Sequence, residues 1–207
     1  MNMRMISRAV APKAAAQVAR TGEMPMKCIW KYKTPKGFDD LVMISDGEAL
    51  SGLCFTGSLT STWPAESVET CEIPVFRKTC LWLDEYFAGH NPGFTPNYRI
   101  EGLTEFRNDV ISELLQIPYG ATVSYGDIAK AISKKRGGAK ASARAVGGAV
   151  GWNPICIIVP CHRVIGADKR LTGYGGGLEN KISLLTHEGN RLMNVAGPTA
   201  KAHVRIV

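Results

Sequence analysis

The sequence lacks several features that would assign it to a class at once. Among its 207 residues no apolar run is long enough to cross a bilayer, so we expect no membrane span. The six cysteines form no CxxC pair and no dense, regular spacing, which argues against a small disulfide scaffold and favours free thiols in a reducing compartment. His90, His187 and His203 show no metal-ligand spacing, so we expect no metal site. No internal repeat is present.

The composition that remains is typical of a globular protein, with 45% hydrophobic and 21% charged residues. The formal net charge of +7 permits an anionic partner such as nucleic acid but does not require one. No acidic residue precedes Glu23. We interpret residues 1–24 as a basic flexible arm, with a transit peptide as the alternative, and residues 191–207 as a basic tail.

The first of two predicted domains covers residues 25–100. Its strands LVMIS and LSGLCFTG flank Asp46-Gly47 in the pattern of a β-hairpin. An amphipathic helix follows, beginning at Pro74 and ending before Gly89. These signals predict a small β-sheet-plus-helix domain.

The second predicted domain covers residues 101–190 and is mainly helical. One helix stops before Pro118, and a capping box of Ser124 and Asp127 starts the next. The basic loop KKRGGAK joins that helix to the small-residue helix ASARAVGGAV, which suggests a helix-turn-helix. The run ICIIV is predicted as a buried strand ended by Pro160, and LENKISLLTHE as the last helix. The chain as a whole is predicted to have an α/β (α+β) fold.

A cysteine and a histidine stand together at the end of that apolar run, in VPCHRVIG. Cys161 is either a buried thiol that only packs or a nucleophile, which needs a partner because a thiol with a pKa of about 8.5 is mostly protonated at neutral pH. Adjacent residues of an extended segment point to opposite faces, so a water is expected to bridge Cys161 and His162. Glu188 is either a frayed surface carboxylate or the group that orients His162. By the same alternation Cys156 and Cys161 face opposite ways, so we expect no zinc here.

The helix ASARAVGGAV contains two interior glycines and a single charged residue, Arg144. Each glycine costs a helix about 1 kcal/mol relative to alanine. The small residues indicate either tight packing against a neighbouring element or close approach to a nucleic acid.

Six segments, in order along the chain, resemble one family. They are SYGDIA at 124–129, ARAVGGAV at 143–150, GWNP at 151–154, PCHRVIG at 160–166, LTGYGGGL at 171–178 and LLTHEG at 184–189. Together they closely resemble the O6-alkylguanine-DNA alkyltransferases (methylated-DNA–protein-cysteine methyltransferases). The resemblance covers about residues 100–190 continuously, whereas the first hundred residues resemble only loosely the variable N-terminal domain of that family.

This resemblance implies DNA repair by direct damage reversal, without a cofactor. The alkyl group of O6-alkylguanine, flipped out of double-stranded DNA, would move to Cys161 once per molecule. His162 would take the thiol proton through a water, with Glu188 fixing the imidazole. Asn153 would tie the active-site turn to the helix-turn-helix, and Tyr125 would help rotate the nucleotide and protonate the departing base.

The resemblance also implies how the protein holds DNA. Arg144 would fill the space left by the extruded base, on a helix that enters the minor groove. The other positions implied to lie against DNA are Ala143, Gly147 and Gly148. The pocket is implied to be formed by Tyr174, Gly175 and Val164. Some members carry serine where this chain has Gly175, so a hydroxyl contact to O6 is absent here.

Three alternatives to the transferase fit the sequence less well. A non-catalytic lesion-binding protein of the alkyltransferase-like class replaces the cysteine, whereas Cys161 is present. A cysteine hydrolase brings its cysteine and histidine together from distant segments, whereas here they are adjacent. A helix-turn-helix transcription factor would leave VPCHRVIG unexplained. We expect a monomeric protein without a membrane partner. We also expect it to be cytoplasmic, as in bacteria, or nuclear, and not secreted.

Overall fold

The computed structural model describes residues 27–58, 69–70, 72–195 and 203–207, so the predicted arm at residues 1–24 lies outside the described residues. The strands are β1 (Cys28–Tyr32), β2 (Leu41–Ser45), β3 (Leu50–Phe55), β4 (Glu69–Thr70), β5 (Val123–Ser124), β6 (Val164–Ile165), β7 (Leu192–Val195) and β8 (His203–Ile206). The helices are α1 (Pro74–Phe87), α2 (Glu105–Leu114), α3 (Tyr125–Lys135), α4 (Ala143–Gly151) and α5 (Leu178–His187). This order, a sheet and one helix followed by mainly helical structure, confirms the predicted α/β (α+β) fold. Within the described ranges no helix is long and apolar enough to cross a membrane.

The N-terminal sheet has the strand order β3-β2-β1-β4. Its antiparallel pair β2–β3 is the predicted hairpin. The Asp46 carboxylate accepts hydrogen bonds from the backbone N–H groups of Glu48 and Ala49, both at 3.0 Å. Gly47 has a φ of 105°, a left-handed conformation that glycine adopts without steric cost. Local turn chemistry is therefore enough to form this hairpin.

Helix α1 begins at Pro74, as predicted, because proline lacks the N–H group that a first helical turn leaves unpaired. Its buried face includes Phe76, Thr79, Leu83 and Tyr86, which recur every three or four residues. Tyr86 therefore points into the protein from the last turn of α1.

The predicted helix-turn-helix consists of α3 and α4, joined by residues 136–142. At the start of α3 the Ser124 hydroxyl oxygen accepts from the Asp127 backbone N–H at 3.1 Å, as predicted. The Asp127 carboxylate accepts from the Ser124 hydroxyl at 2.6 Å. At the other end, Asp109 of α2 pairs with Lys135 at 2.8 Å and Arg136 at 2.6 Å. This ion-paired cluster ties the end of α3 to α2.

The apolar run ICIIV is not a strand, so that prediction is wrong. Ile155 forms one isolated bridge with Leu53 of β3, after which the chain turns and enters a 3-10 helix, Cys161–Arg163. The Asn153 side-chain amide donates to the carbonyl oxygens at both ends of the run, at 3.2 and 3.0 Å. A side chain thus satisfies backbone groups that a strand would pair with a neighbouring strand. Ile157 within the turn has a φ of 65°, which is strained for a β-branched residue.

The two halves of the chain meet at this turn. The N–H of Leu53 donates to the Pro154 carbonyl, and the N–H of Cys156 donates to the Leu53 carbonyl, both at 2.8 Å. One hydrophobic cluster also includes residues of both halves, among them Phe55 and Ile155. The division into domains near residue 100 stays a prediction.

The C-terminal segment, interpreted as a basic tail, contributes the antiparallel hairpin of β7 and β8. The Leu171 N–H donates to the Val204 carbonyl at 2.9 Å. A second, small cluster of buried residues contains Ile165, Leu171, Leu185 and Ile206. The hairpin therefore packs against the segment that leads to Tyr174.

Candidate active site

Cys161 lies where two cavities meet, and its exposed fraction is only 4%. The larger cavity has a volume of about 470 Å³ and reaches the N-terminal half at Cys54 and Ser58. The smaller one, about 240 Å³, reaches Tyr125 and Gly147 of the helix-turn-helix. Both cavities are lined by Val150, Gly151, Cys161, Tyr174 and Gly175. Cys161 is therefore largely enclosed by protein and lines both cavities.

The Cys161 sulfur has two polar neighbours. The Asn153 amide donates to Sγ at 3.0 Å, and the Tyr174 hydroxyl oxygen lies 4.0 Å from Sγ. Burial raises the pKa of Cys161, and these two contacts together with the positive charge of Lys181 oppose that rise. The thiol stays mostly protonated at neutral pH and needs a base to become a nucleophile.

The candidate base is His162, the residue after Cys161 in the chain, and a buried carboxylate orients it. The side chains of His162 and Glu188 are both 0% exposed, and His162 Nε2 lies 2.9 Å from Glu188 Oε1. Burial alone would raise the pKa of Glu188, but hydrogen bonds from His162 and Arg163 lower it to about 2. The ionised carboxylate can only accept, so Nε2 carries the imidazole proton. Nδ1, which is buried and has no hydrogen-bond partner in the described part of the chain, is then the basic nitrogen.

The electrostatics keep this imidazole ready to accept a proton. Burial lowers the pKa of His162, and the hydrogen bond to Glu188 opposes that effect only in part. His162 is therefore neutral at neutral pH, the protonation state that a general base requires.

Sequence reasoning missed three further donors to Glu188. Arg163 donates through Nε at 2.9 Å to Oε2 and through Nη2 at 2.8 Å to Oε1. The Tyr86 hydroxyl donates to Oε1 at 2.9 Å, and the Gly120 backbone N–H donates to Oε2 at 3.1 Å. Two signals in the sequence pointed to these residues. Arg163 directly follows His162 in VPCHRVIG, and Tyr86 lies three residues after Leu83, on the buried face of α1.

Sequence reasoning also missed Lys181, which is fully buried in α5. Its Nζ donates to the Val164 carbonyl at 2.6 Å and lies 6.0 Å from the ring centroids of both Tyr125 and Tyr174. It forms no ion pair with any carboxylate that the structure describes. Burial lowers the pKa of Lys181 to about 8, and the interaction with Cys161 opposes this shift. Lys181 lies three residues before Leu184 in α5, a helical spacing that places both residues on the same buried face and could have indicated its burial.

The pocket walls come from the tyrosines and glycines of the helix-turn-helix and the loop after β6. The Thr172 hydroxyl donates to the Tyr125 hydroxyl at 3.2 Å. A Cβ at Gly176 would lie 2.5 Å from a Tyr174 ring carbon, so only glycine fits there. Val164 is buried in the core and lines neither cavity, so the structure does not bring this predicted pocket residue to the pocket surface.

The interior glycines of α4 are not required by internal packing. Ala143, Arg144 and Gly148 are exposed. A Cβ at Gly147 would make only an ordinary contact with the Tyr125 ring at 3.9 Å, and a Cβ at Gly148 would meet nothing within 4 Å. Of the two explanations for these glycines, close approach by a partner accounts for Gly148 and internal packing does not.

The cysteines do not all have the expected arrangement. Cys156 and Cys161 were expected to face opposite ways, but the turn brings both, together with Cys54, to the larger cavity. These three thiols are free, whereas Cys28 is disulfide-bonded, contrary to the expectation of free thiols throughout. Over the described ranges, no group of three or more His, Cys, Asp or Glu side chains is placed to hold a metal ion.

Comparison with known proteins identifies the family. Residues 105–190 match the family model of the DNA-binding domain of 6-O-methylguanine DNA methyltransferase. The chain is 40% identical over 158 residues to a methylated-DNA–protein-cysteine methyltransferase of Haemophilus influenzae, a match that covers 76% of this chain and 83% of the relative. It is 44% identical over 160 residues to a protein of the same name from Methanosarcina acetivorans, covering 77% of this chain and 96% of the relative.

A solved structure agrees with these matches. Mycobacterium tuberculosis OGT in complex with DNA superposes with a TM-score of 0.64 at 38% identity, covering 78% of this chain and 92% of that one. Both relatives are named as transferases, which disfavours the lesion-binding and hydrolase alternatives. The chain therefore belongs to the methylated-DNA–protein-cysteine methyltransferases, enzymes that repair DNA by alkyl transfer.

Proposed function

We propose that this protein transfers the alkyl group of O6-alkylguanine in double-stranded DNA to Sγ of Cys161, once per molecule. A bond forms between the sulfur and the alkyl carbon while the bond from that carbon to O6 breaks. The observation that carries the proposal is the arrangement of Glu188, His162 and Cys161. A buried carboxylate fixes the neutral imidazole of the residue that follows Cys161 in the chain, and Cys161 itself lines both cavities.

The first step is ionisation of the thiol. His162 Nδ1 takes the proton of Cys161 through a bridging water, and Glu188 stabilises the resulting imidazolium. Asn153 donates to the sulfur and the buried ammonium of Lys181 adds positive charge, so both favour the thiolate. The thioether product has no route back to a thiol, so each molecule acts once.

The departing guanine needs a proton, and Tyr125 supplies it. Burial raises the pKa of Tyr125, so its hydroxyl remains protonated at neutral pH. The hydrogen bond from Thr172 orients that hydroxyl beside the smaller cavity. The flipped base enters this cavity, between Tyr125 and the Tyr174 loop with Gly175.

Helix α4 lies in the minor groove of the duplex. Gly148 and Ala143 permit the close approach, and Arg144 fills the gap in the base stack. Exposed Lys134 and Lys140 in the preceding segment supply positive charge for the phosphates. The DNA complex of the M. tuberculosis relative supports DNA as the partner. The protein acts as a monomer and has no membrane partner. It works in the compartment that contains the DNA.

Intact-mass measurement tests this proposal. The protein is mixed with a duplex that contains one O6-methylguanine, with Cys161→Ala and an unmodified duplex as controls. We expect the mass of one methyl group on the wild type alone, mapped to Cys161. Binding of the lesion duplex without a mass gain would indicate a lesion-binding protein, and neither binding nor gain would refute the proposal.

A further inference from the structure

The carboxylate that orients the catalytic base receives hydrogen bonds from both halves of the chain. The hydrogen bonds from His162, Arg163 and Gly120 originate within the residues 105–190 that match the DNA-binding-domain model. The hydrogen bond from Tyr86 originates in α1, outside that match. We propose that Tyr86 is a positioning residue for alkyl transfer, whose hydroxyl holds the Glu188 carboxylate where it orients His162.

Tyr86 and His162 share one hydrogen-bond acceptor, an oxygen of the Glu188 carboxylate. The Tyr86 hydroxyl donates to Glu188 Oε1 at 2.9 Å, and His162 Nε2 lies at the same distance from the same oxygen. Arg163 Nη2 also donates to Oε1, at 2.8 Å, so three groups share this oxygen, restrict the rotation of the carboxyl group and divide its negative charge among them. The orientation and basicity of His162 therefore depend on the Tyr86 hydroxyl.

Tyr86 is itself fixed by its surroundings. Its ring stacks on Trp82 at 5.5 Å and meets Tyr119 edge-on at 5.9 Å. Its backbone carbonyl accepts a hydrogen bond from His187 Nε2 at 2.7 Å. Helix α1 is thus tied to two consecutive residues, His187 and Glu188, at the end of α5. These contacts give the N-terminal half a role in the chemistry that is distinct from DNA binding.

The Tyr86 hydroxyl remains protonated, and so can donate, at neutral pH. Burial and the adjacent Glu188 carboxylate raise the pKa of Tyr86 well above its ordinary value. Loss of this donor leaves more of the carboxylate charge to interact with an imidazolium. The pKa of His162, which also faces the cations Arg163 and Lys181, would then rise.

Tyr86→Phe tests the role because it removes only the hydroxyl and keeps the ring packing. The matched control is Tyr119→Phe, since the Tyr119 hydroxyl is buried without a hydrogen-bond partner among the described residues. The single-turnover rate of methyl transfer from an O6-methylguanine duplex is measured from pH 5 to 9. For Tyr86→Phe we expect a rate about tenfold lower at neutral pH, because a loosened base is oriented less often. We also expect the acid limb of the profile to move to higher pH, and Tyr119→Phe to match the wild type.

The inference rests on the proposed function, and Glu188→Gln separates the two. If Glu188→Gln slows transfer but Tyr86→Phe stays within twofold of the wild type with an unmoved acid limb, Tyr86 only packs and the inference is overturned. A loss of thermal stability in Tyr86→Phe without a change in the pH profile overturns it as well. If wild type transfers methyl and Glu188→Gln is equally fast, the proposed catalytic network itself fails.

Discussion

Lys181 is a buried cation whose effect on stability can be measured. Lys181→Met keeps the length of the side chain and removes the charge, together with the 2.6 Å hydrogen bond to the Val164 carbonyl. Burial lowers the pKa of Lys181 from 10.5 to about 8 in the folded protein. Below pH 8 both the folded and the unfolded chain are protonated, and the folded state bears the full desolvation penalty.

The sign of the pH dependence follows from this difference. As pH rises from 8 towards 10.5, the folded protein loses the Lys181 proton while the unfolded chain keeps it. The free energy of unfolding rises with pH wherever the unfolded state binds more protons. The free energy of unfolding of the wild type should therefore increase as pH rises through this window, because the penalty of burying a charged Lys181 is relieved. Between pH 7 and pH 10 this contribution amounts to about 2.5 kcal/mol.

Urea unfolding at pH 7 and pH 10 checks the prediction. Thiols and tyrosines also titrate in this range, but wild type and Lys181→Met share them. The stability difference, wild type minus variant, should therefore shift by about 2.5 kcal/mol in favour of the wild type. Lys36→Met, at an exposed position, controls for the loss of a lysine. A shift below about 1 kcal/mol would show that Lys181 is not a desolvated cation and would refute the reasoning.

Three further predictions concern the active-site turn, the buried carboxylate and the small-residue helix. Asn153→Asp replaces the donor to Cys161 with an acceptor, so the single-turnover rate should fall by about a hundredfold; a rate within tenfold of the wild type would contradict this. Each of the single variants Arg163→Met and Glu188→Gln leaves one buried charge without its partner, whereas the double variant removes both charges. Urea unfolding of the double-mutant cycle should therefore give a coupling energy of about 2 kcal/mol. Additive effects would argue against the ion pair. Gly148→Ala should raise the free energy of unfolding by up to about 1 kcal/mol, while Gly148→Leu weakens duplex binding in fluorescence anisotropy. Unchanged binding by the leucine variant would mean that α4 does not approach DNA closely.

Elements with local causes were predicted from the sequence. The hairpin about Asp46-Gly47 forms because Asp46 and Gly47 supply the turn themselves. Helix α1 begins at Pro74, and α3 begins after its Ser124 cap, for equally local reasons. Such signals depend only on neighbours in the chain, so one sequence is sufficient to read them.

The turn at residues 155–159 does not follow from local signals of this kind. A short apolar run predicts burial but does not distinguish a strand from another buried segment. The deciding contacts are the Asn153 amide and the single bridge to Leu53, and the second of these lies about a hundred residues earlier in the chain. The same turn brings Cys156 beside Cys161, which strand alternation had placed on opposite faces.

By itself, the sequence determined the order of the elements, the family motifs and the identity of Cys161, His162 and Glu188 as the candidate chemical groups. Only the tertiary structure decided the protonation states and partners of those groups. The Tyr86 hydroxyl reaches Glu188 across 102 residues of chain, and burial together with such contacts moves the pKa of each group away from its ordinary value. Desolvation and long-range hydrogen bonds depend on what packs around a side chain, and that is a property of the folded molecule.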